Sequence, residues 1–443
     1  MDSTIATFAM ISLGCAKNLV NSEQMLWLMS EAGFQLVPEP AGADLVIINT
    51  CGFIDAAKSE AIDNILEMAQ LKAAGSLGKI IVTGCLAERY KDSILSELPE
   101  IDAVLGVGSF NDIVEAAKAV LQDKPYSAFA SNSAAIDEIP RVVSTGPSWA
   151  YLRIAEGCNN FCAFCAIPYI RGRYRSRSME CILEEARDLA AHGVKEIIVI
   201  AQDITRYGTD LYGKRCLAEL CRKISEIEGI EWIRLHYLYP DQFDDELIDE
   251  IASNDKIVKY LDIPIQHINN QILKKMNRRG TGDDIRALFK KLRASIPGLV
   301  LRTSLIAGLP GEGEAEFEEL CAFLKEARIE RAGVFPFSPE EGTPAAAMEH
   351  VDYEEAQRRA DLIMELQAPI MDDFYNSFLG KTIQVLCETR DEESGLLQGR
   401  SYADSPDIDG CVMFRGKTPE GSFARVLITG TEDGILYGEE ADV

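Results

Sequence analysis

The sequence predicts an α/β chain in three parts: an N-terminal parallel-sheet α/β domain, a central partial (β/α) barrel and a small C-terminal all-β barrel of the OB type. Three observations predict it. Short continuous apolar runs alternate with amphipathic helices up to about residue 125, the same alternation resumes from Tyr151 to about Phe337, and five short strands crowd the last 60 or so residues. Continuous apolar runs between helices mark strands buried on both faces, as in parallel sheets.

In the first region the predicted strands are Phe8–Ser12, Leu45–Ile48, Lys79–Val82 and Ala103–Gly106. Helices are predicted over Ser22–Ala32, Ala56–Gln70, Tyr90–Leu98 and Asn111–Leu121. The polar stretch Ser131–Pro147, rich in Ser, Asn, Pro and Gly, reads as a linker. Six further strands follow, at Tyr151–Ala155, Glu196–Ala201, Trp232–Tyr237, Val258–Pro264, Leu299–Ile306 and Ala332–Phe337. Helices over Met179–His192, Asp241–Ser253, Asp283–Ser295 and Glu314–Arg328 fill the gaps. Six βα units suit a partial or full α/β barrel, whose working residues gather at the C-terminal strand ends.

A long amphipathic helix, Tyr353–Phe378, leads to a different texture. Strands at Ile383–Glu388, Leu396–Tyr402, Cys411–Phe414, Phe423–Thr429 and Ile435–Gly438 are separated by turn residues, as in a small closed barrel. The expected domain boundaries are 1–130, 140–372 and 377–443.

Length and composition bound what such a chain does. At 443 residues it exceeds one ordinary core. No apolar run approaches the roughly 18–20 residues of a membrane span, and Met1-Asp2-Ser3-Thr4 lacks a leader pattern. A cytoplasmic, reducing location is expected, where twelve cysteines are core residues, metal ligands or catalytic groups rather than disulfides. The net charge of −27 repels phosphate backbones and attracts basic partners, which argues against nucleic acid.

The segment Gly157-Cys158-Asn159-Asn160-Phe161-Cys162-Ala163-Phe164-Cys165-Ala166-Ile167-Pro168 carries the clearest chemistry. Three thiolates arrive within eight residues, just past the first barrel strand. Thiolates ligate iron–sulfur clusters, and a cubane usually takes four, so three leave one iron open to a small molecule. Phe161 and Phe164 would pack beside the cluster and limit water. Two rival readings exist. Positions i, i+4 and i+7 could merely share a helix face, but Gly157, the Asn pair and Pro168 oppose a continuous helix. Structural zinc normally closes with a fourth ligand, and no neighbouring His or Cys supplies one.

The Cys-x3-Cys-x2-Cys spacing, with Phe164 before the last Cys, resembles the signature of radical S-adenosylmethionine enzymes. The resemblance implies a [4Fe–4S] cluster whose open iron binds S-adenosylmethionine, reductive formation of a 5′-deoxyadenosyl radical, and an external electron donor. Ile306-Ala307-Gly308-Leu309-Pro310-Gly311 is similar to the family's cofactor-contacting strand end, although such a turn alone is a weak signal. Gln202, Gln266, Arg302, Gly308 and Pro310 are the candidate S-adenosylmethionine contacts on this basis.

Cys15, Cys51 and Cys85 form a second constellation. Each follows a predicted strand by a few residues, so in a parallel sheet all three lie along one edge although they are 36 and 34 residues apart in sequence. Gly14, Gly52 and Gly84 would let backbone approach a bulky inorganic group. Singly, each cysteine reads as a buried turn residue; the repeated position favours a second three-thiolate cluster. Two such triplets in this order resemble the methylthiotransferases, whose layout of N-terminal cluster domain, radical barrel and C-terminal TRAM barrel spans the whole chain. That resemblance implies two [4Fe–4S] clusters, the N-terminal one carrying or delivering the sulfur.

Methylthiotransferases divide between tRNA adenosine and a ribosomal protein. The segments Met10–Asn18, Ile200-Ala201-Gln202-Asp203 and Arg400-Ser401-Tyr402-Ala403-Asp404-Ser405-Pro406 resemble the protein-modifying branch, which implies a basic small-subunit ribosomal protein as substrate. Residues 377–443 hold thirteen acidic against six basic residues, whereas an RNA-binding OB-like barrel presents a positive groove. Against this, Arg171-Gly172-Arg173-Tyr174-Arg175-Ser176-Arg177 could contact phosphate, orient carboxylates of cofactor or substrate, or form a solvated loop. An electron-transfer protein with two fully ligated clusters would need further ligands that the chain lacks. Cys181, Cys216, Cys221, Cys321, Cys387 and Cys411 read as core or surface thiols, and His236 and His267 as structural histidines near strand ends. Leu105-Gly106-Val107-Gly108 hints weakly at a phosphate loop.

Overall fold

In the N-terminal region six strands form one parallel sheet, in the order Gln35–Leu36, Thr7–Ser12, Leu45–Thr50, Lys79–Gly84, Ala103–Leu105 and Tyr126–Ala128. The computed structural model of the chain describes residues 5–441; Met1–Thr4 lie outside them. Successive side chains of each strand enter opposite cores. Val46, Ile48, Ile80 and Val82 pack under the helix Asp55–Ala73, while Leu45, Ile47 and Ile81 face helices Ala16–Glu31 and Ile113–Val120. Burial on both faces is why these strands read as unbroken apolar runs.

Two short edge strands, Gln35–Leu36 and Tyr126–Ala128, were not legible as strands. The predicted helix Ser22–Ala32 begins earlier, at Ala16, directly after Cys15. Its first turns carry Lys17, Asn18, Asn21 and Ser22, polar yet buried, so they break the apolar period without leaving the helix. The predicted helix Tyr90–Leu98 is two short helices, Cys85–Tyr90 and Asp92–Glu97, separated by Lys91 at φ 41°. The stretch from Phe129 to Ser148 has no helix or strand, as a linker should, but it is pinned. Arg141 ion-pairs with buried Glu23, whose carboxylate also accepts from Ser144, and Arg177 pairs with Glu138.

The six barrel strands, Trp149–Arg153, Glu196–Ile200, Trp232–Leu235, Ile257–Asp262, Val300–Ala307 and Arg331–Pro336, pair in parallel strictly in chain order. The first and last strands lie at the two edges of that order, so this is the partial form of the barrel. Helices Leu217–Ser225 and Asn270–Lys275 add to those expected, and the long helix runs Tyr353–Asn376. Five antiparallel and parallel pairings close the C-terminal barrel in the order Thr382–Arg390, Leu397–Ser401, Val412–Arg415, Ile435–Glu440, Phe423–Glu432.

That small barrel shares its core with the N-terminal ends of the half-barrel strands: Trp232, Val258, Tyr260 and Val300 pack with Val385, Phe414 and Val426. A buried ion network seals the seam. Glu196 meets Arg234 at 2.7 Å and Arg400 at 2.6 Å, and Arg234 also donates to the Tyr402 carbonyl at 2.8 Å.

Compactness groups the chain into two units. The first comprises Met1–Ser144, Ala155–Arg177 and Ser338–Ala347; the second comprises Thr145–Ile154, Ser178–Phe337 and Met348–Val443. The cysteine loop after the first barrel strand therefore belongs to the unit of the N-terminal sheet.

Candidate metal centre

All six candidate cysteines fall in the first unit. Cys15, Cys51 and Cys85 stand where three adjacent parallel strands end, since Ser12 pairs with Asn49 and Thr50 with Gly84. The loops interlock tightly. A Cβ on Gly14 (φ 88°) would meet the Cβ of Cys51 at 2.7 Å, and one on Gly52 would meet the Leu86 backbone at 2.8 Å. Gly84 lies similarly against Asn49 and Thr50. These glycines let neighbouring protein loops approach closely at the cysteine corners.

Asn18 ties the corners together. Its amide donates to the carbonyls of Leu13 (2.7 Å), Asn49 (3.3 Å) and Thr50 (3.3 Å), and Asn49 returns a bond to the Asn18 carbonyl at 2.8 Å. Electrostatics differentiate the thiols. Burial opposes ionisation of Cys15, but the charges of Lys17 and Arg171 and the Asn18 and Lys17 amides outweigh it and hold the thiol below its usual range. Burial and the neighbouring Cys85 push Cys51 up to about 11, and burial also raises Cys85 despite Arg171. Burial and neighbouring thiols disfavour the thiolates of Cys51 and Cys85, which a strong cation such as an iron–sulfur core would offset.

The Cys158–Cys165 segment is an irregular loop, so the helix-face reading fails. Gly157 takes φ 74° and Phe161 φ 49°, and a Cβ on Gly157 would meet the Gly172 carbonyl oxygen at 2.6 Å. The Cys158 amide donates to the Gly172 carbonyl (3.1 Å), the Asn160 amide points at the Cys158 sulfur (3.4 Å), and Cys165 closes on Cys162 (2.9 Å). Cys158 and Cys162 are buried and Cys165 half-buried. The Phe161 ring lies under the Arg173 guanidinium at 4.2 Å and edge-on to Tyr169 at 6.2 Å.

In the arginine loop Arg171 and Arg177 are buried and bound within the chain, whereas Arg173 is exposed. Arg171 is only 1% exposed and donates to both oxygens of Glu156, at 3.0 and 3.1 Å, to Asn21 at 3.4 Å and to Asn18 at 3.1 Å. Arg177 clamps Glu138, and Arg175 donates to the Arg173 carbonyl. The carboxylates these arginines orient are the chain's own. Likewise the Leu105–Gly108 stretch is no phosphate loop: the Glu88 carboxylate already takes the Val107 amide at 3.1 Å.

All twelve cysteines are thiols rather than disulfides. Among the described residues, no three His, Cys, Asp or Glu side chains converge as ligands of one ion would; the ligands of a cubane each bind a different iron. Two triplets on rigid corners, with compensating positive charge at one of them, fit three-thiolate clusters.

The second unit holds the candidate cofactor contacts. Gln202 follows the strand Glu196–Ile200, and Gln266 follows Ile257–Asp262. Gln266 takes φ 70° so that its backbone can bridge to the next strand, donating to Ser304 and accepting from Ile306, both at 2.9 Å. Arg302 pairs in register with Asp262 and donates to its carboxylate at 2.7 Å. Gly308 (φ 78°) admits Ala356, whose Cβ would stand 2.6 Å from an added Cβ, and Pro310 is buried in the same turn. Sequence reasoning missed Glu312, which organises that turn. It accepts from the Gly308 amide at 2.9 Å and from Arg359 at 2.9 Å, and sits 3.3 Å from His267 Nε2. The Asn269 amide donates to His267 Nδ1 at 3.0 Å, which leaves the ring proton on Nε2, facing Glu312. His236, buried against Ser405 at 3.1 Å, is structural too.

Three known families match the chain: the Radical SAM superfamily over residues 152–324, Uncharacterized protein family UPF0004 over residues 7–106, and the TRAM domain over residues 379–440. The ribosomal protein uS12 methylthiotransferase RimO of Acetivibrio thermocellus is 48% identical over 440 residues, 97% of each chain. The chain belongs to the uS12 methylthiotransferase family. Other methylthiotransferases of this name, from Caldanaerobacter subterraneus and Clostridium botulinum, are 48% and 46% identical and cover 97% of the chain and 98% of their own. Among solved structures, the radical S-adenosylmethionine methyltransferase TsrM of Kitasatospora setae, with cobalamin and a [4Fe-4S] cluster bound, superposes with a TM-score of 0.55 at 13% identity over 77% of both chains. The cobalamin-dependent S-adenosylmethionine radical enzyme OxsB gives 0.53 at 15% identity, over 82% of this chain and 56% of its own. These two show the fold alone. As a member of the methylthiotransferase family, the chain is a radical S-adenosylmethionine enzyme whose cofactors are [4Fe–4S] clusters and S-adenosylmethionine.

Proposed function

We propose that the chain transfers a methylthio group to the β-carbon of an aspartate in the twelfth protein of the small ribosomal subunit. Near-full-length identity to uS12 methylthiotransferases carries this reading. The two cysteine triplets in one compact unit support it, and so does the acidity of residues 377–443, which suits a basic ribosomal protein. The tRNA alternative rested on the arginine loop, where Arg171 and Arg177 are instead spent on Glu156 and Glu138.

Cys158, Cys162 and Cys165 would hold the cluster that binds S-adenosylmethionine, and Cys15, Cys51 and Cys85 the second. When bound, these groups supply one-electron cleavage of the cofactor and a carrier for the sulfur, fed by an external electron donor. The chain's own residues hold the geometry. The Gly157 turn and the Gly172 carbonyl fix Cys158, and Arg173 over Phe161 shields the loop from water. Contacts to S-adenosylmethionine are proposed at Gln202, Gln266, Arg302, Gly308 and Pro310. Gln266 and Arg302 are held by their strand-end bonds, and Gly308 and Pro310 act through the turn that Glu312 braces. Among the described residues no helix is long and apolar enough to cross a membrane, which is compatible with the cytoplasm, where ribosomes are.

Mass spectrometry of the ribosomal protein and of tRNA from a strain lacking the chain tests this reading. The methylthio group is expected to vanish from the aspartate; loss from tRNA alone overturns the proposal. Replacing Cys15, Cys51 and Cys85 by Ala is expected to abolish transfer yet leave 5′-deoxyadenosine formation, whereas replacing Cys158, Cys162 and Cys165 abolishes both.

A further inference from the structure

One side chain joins the two cysteine constellations. Arg171 is buried, and its guanidinium is held from three directions: the carboxylate of Glu156, two residues before Cys158, and the amide oxygens of Asn18 and Asn21, three and six residues after Cys15. Asn18 in turn grips the carbonyls of Leu13, Asn49 and Thr50, and so the corners that carry Cys15 and Cys51. Gly172, the sequence neighbour of Arg171, accepts the Cys158 amide. The other sequence neighbour, Ile170, packs with Cys85, Val107 and Ala166 in one buried apolar cluster.

We propose that Arg171 is a positioning residue that locks the Cys158 loop onto the three N-terminal cysteine corners and, through its buried positive charge, raises the reduction potential of the cluster at Cys15, Cys51 and Cys85. The inference rests on the reading of those cysteines as a cluster site. Burying a guanidinium costs several kcal/mol unless it is paired, and one carboxylate would satisfy that need. The two neutral amide acceptors hold the fork without adding negative charge, so the guanidinium stays the positive end of a single ion pair anchored at the Cys15 corner. Cluster potential follows net charge, hydrogen bonds to sulfur and solvent exposure. An added electron is favoured by a cation held nearby in a water-poor site, where screening is weak. Arg suits this role and Lys does not, because only a planar fork meets Glu156, Asn18 and Asn21 at once.

The test uses the full-length chain with Cys158, Cys162 and Cys165 replaced by Ala, so that only the N-terminal cluster gives a signal. Iron is counted and a dithionite titration is followed by EPR. In this background Arg171→Met is expected to keep about four irons and to make one-electron reduction at least tenfold less favourable, a midpoint lower by 59 mV or more. Glu156→Gln, which removes the counter-charge without changing shape, is expected to move the midpoint upward. Arg171→Lys is expected to fall between wild type and Met. Iron-loaded variants whose midpoints stay within twofold of the parent overturn the proposal. If Arg171→Met fails to load iron, an unmoved Glu156→Gln midpoint overturns it equally. A parent that binds no iron at all removes the cluster reading itself, and the proposal with it.

Discussion

Glu312 has no exposed side-chain surface and is shared by Arg359, His267 and the Gly308 amide. Burial disfavours its charge, but these partners prevail and hold its carboxyl below the usual 4.5. A carboxyl depressed in the folded state contributes stability that is present above pH 4.5 and is lost as the pH falls through the lower folded value. Glu312→Gln is therefore expected to flatten the fall in denaturant midpoint between pH 5 and pH 3; an unchanged slope would count against the assignment. Gly308 is the companion case. Alanine there must adopt φ 78° and push against Ala356 and Val351, and strain plus overpacking is expected to cost about 3 kcal/mol, measurable by urea unfolding. At this scale the cysteines were legible because thiolates are scarce and their spacing or repeated position is specific. Arg171, Glu312 and Asn18 were not, because each acts through partners more than 10 positions away in sequence, such as Glu156, Arg359 and Asn49.

Strands with continuous apolar composition were readable from sequence alone, since both of their faces meet a core. The helix Ala16–Glu31 was half-hidden because its polar first turns are buried toward the cysteine corners rather than exposed. Edge strands of two or three residues carry no period to detect. The Glu196 network belongs to this scale, since it joins strand Glu196–Ile200 to Trp232–Leu235 and Leu397–Ser401. Glu196→Leu leaves the Arg234 guanidinium buried without its counter-ion and Arg400 with Glu388 alone, and is expected to cost about 3–5 kcal/mol. Early proteolytic release of the C-terminal barrel during limited digestion would report it; wild-type resistance would show that the shared apolar core alone holds the seam.

For the molecule as a whole, the charge of −27 was plain in the composition, and so was the order of sheet, half-barrel and small barrel. Attraction between an acidic enzyme and a basic substrate is screened within about 8 Å at physiological salt. Raising salt from 50 to 500 mM is expected to increase KM for the ribosomal protein severalfold while kcat stays nearly constant. A salt-insensitive KM would mean that docking is not driven by charge.

The grouping of elements was not legible, because nothing in a sequence announces that a loop leaves one core for another. The first unit needs Ser338–Ala347: Glu340 binds Lys58 and Arg89, and the Ala345 amide donates to Ala163 inside the cysteine loop. During synthesis, about 200 residues must be added after Ser144 before that segment exists, roughly 10–40 s at 5–20 residues per second. Through that interval the nascent N-terminal sheet lacks the segment that bonds Lys58, Arg89 and Ala163. The first unit is thus completed only after most of the chain has been translated.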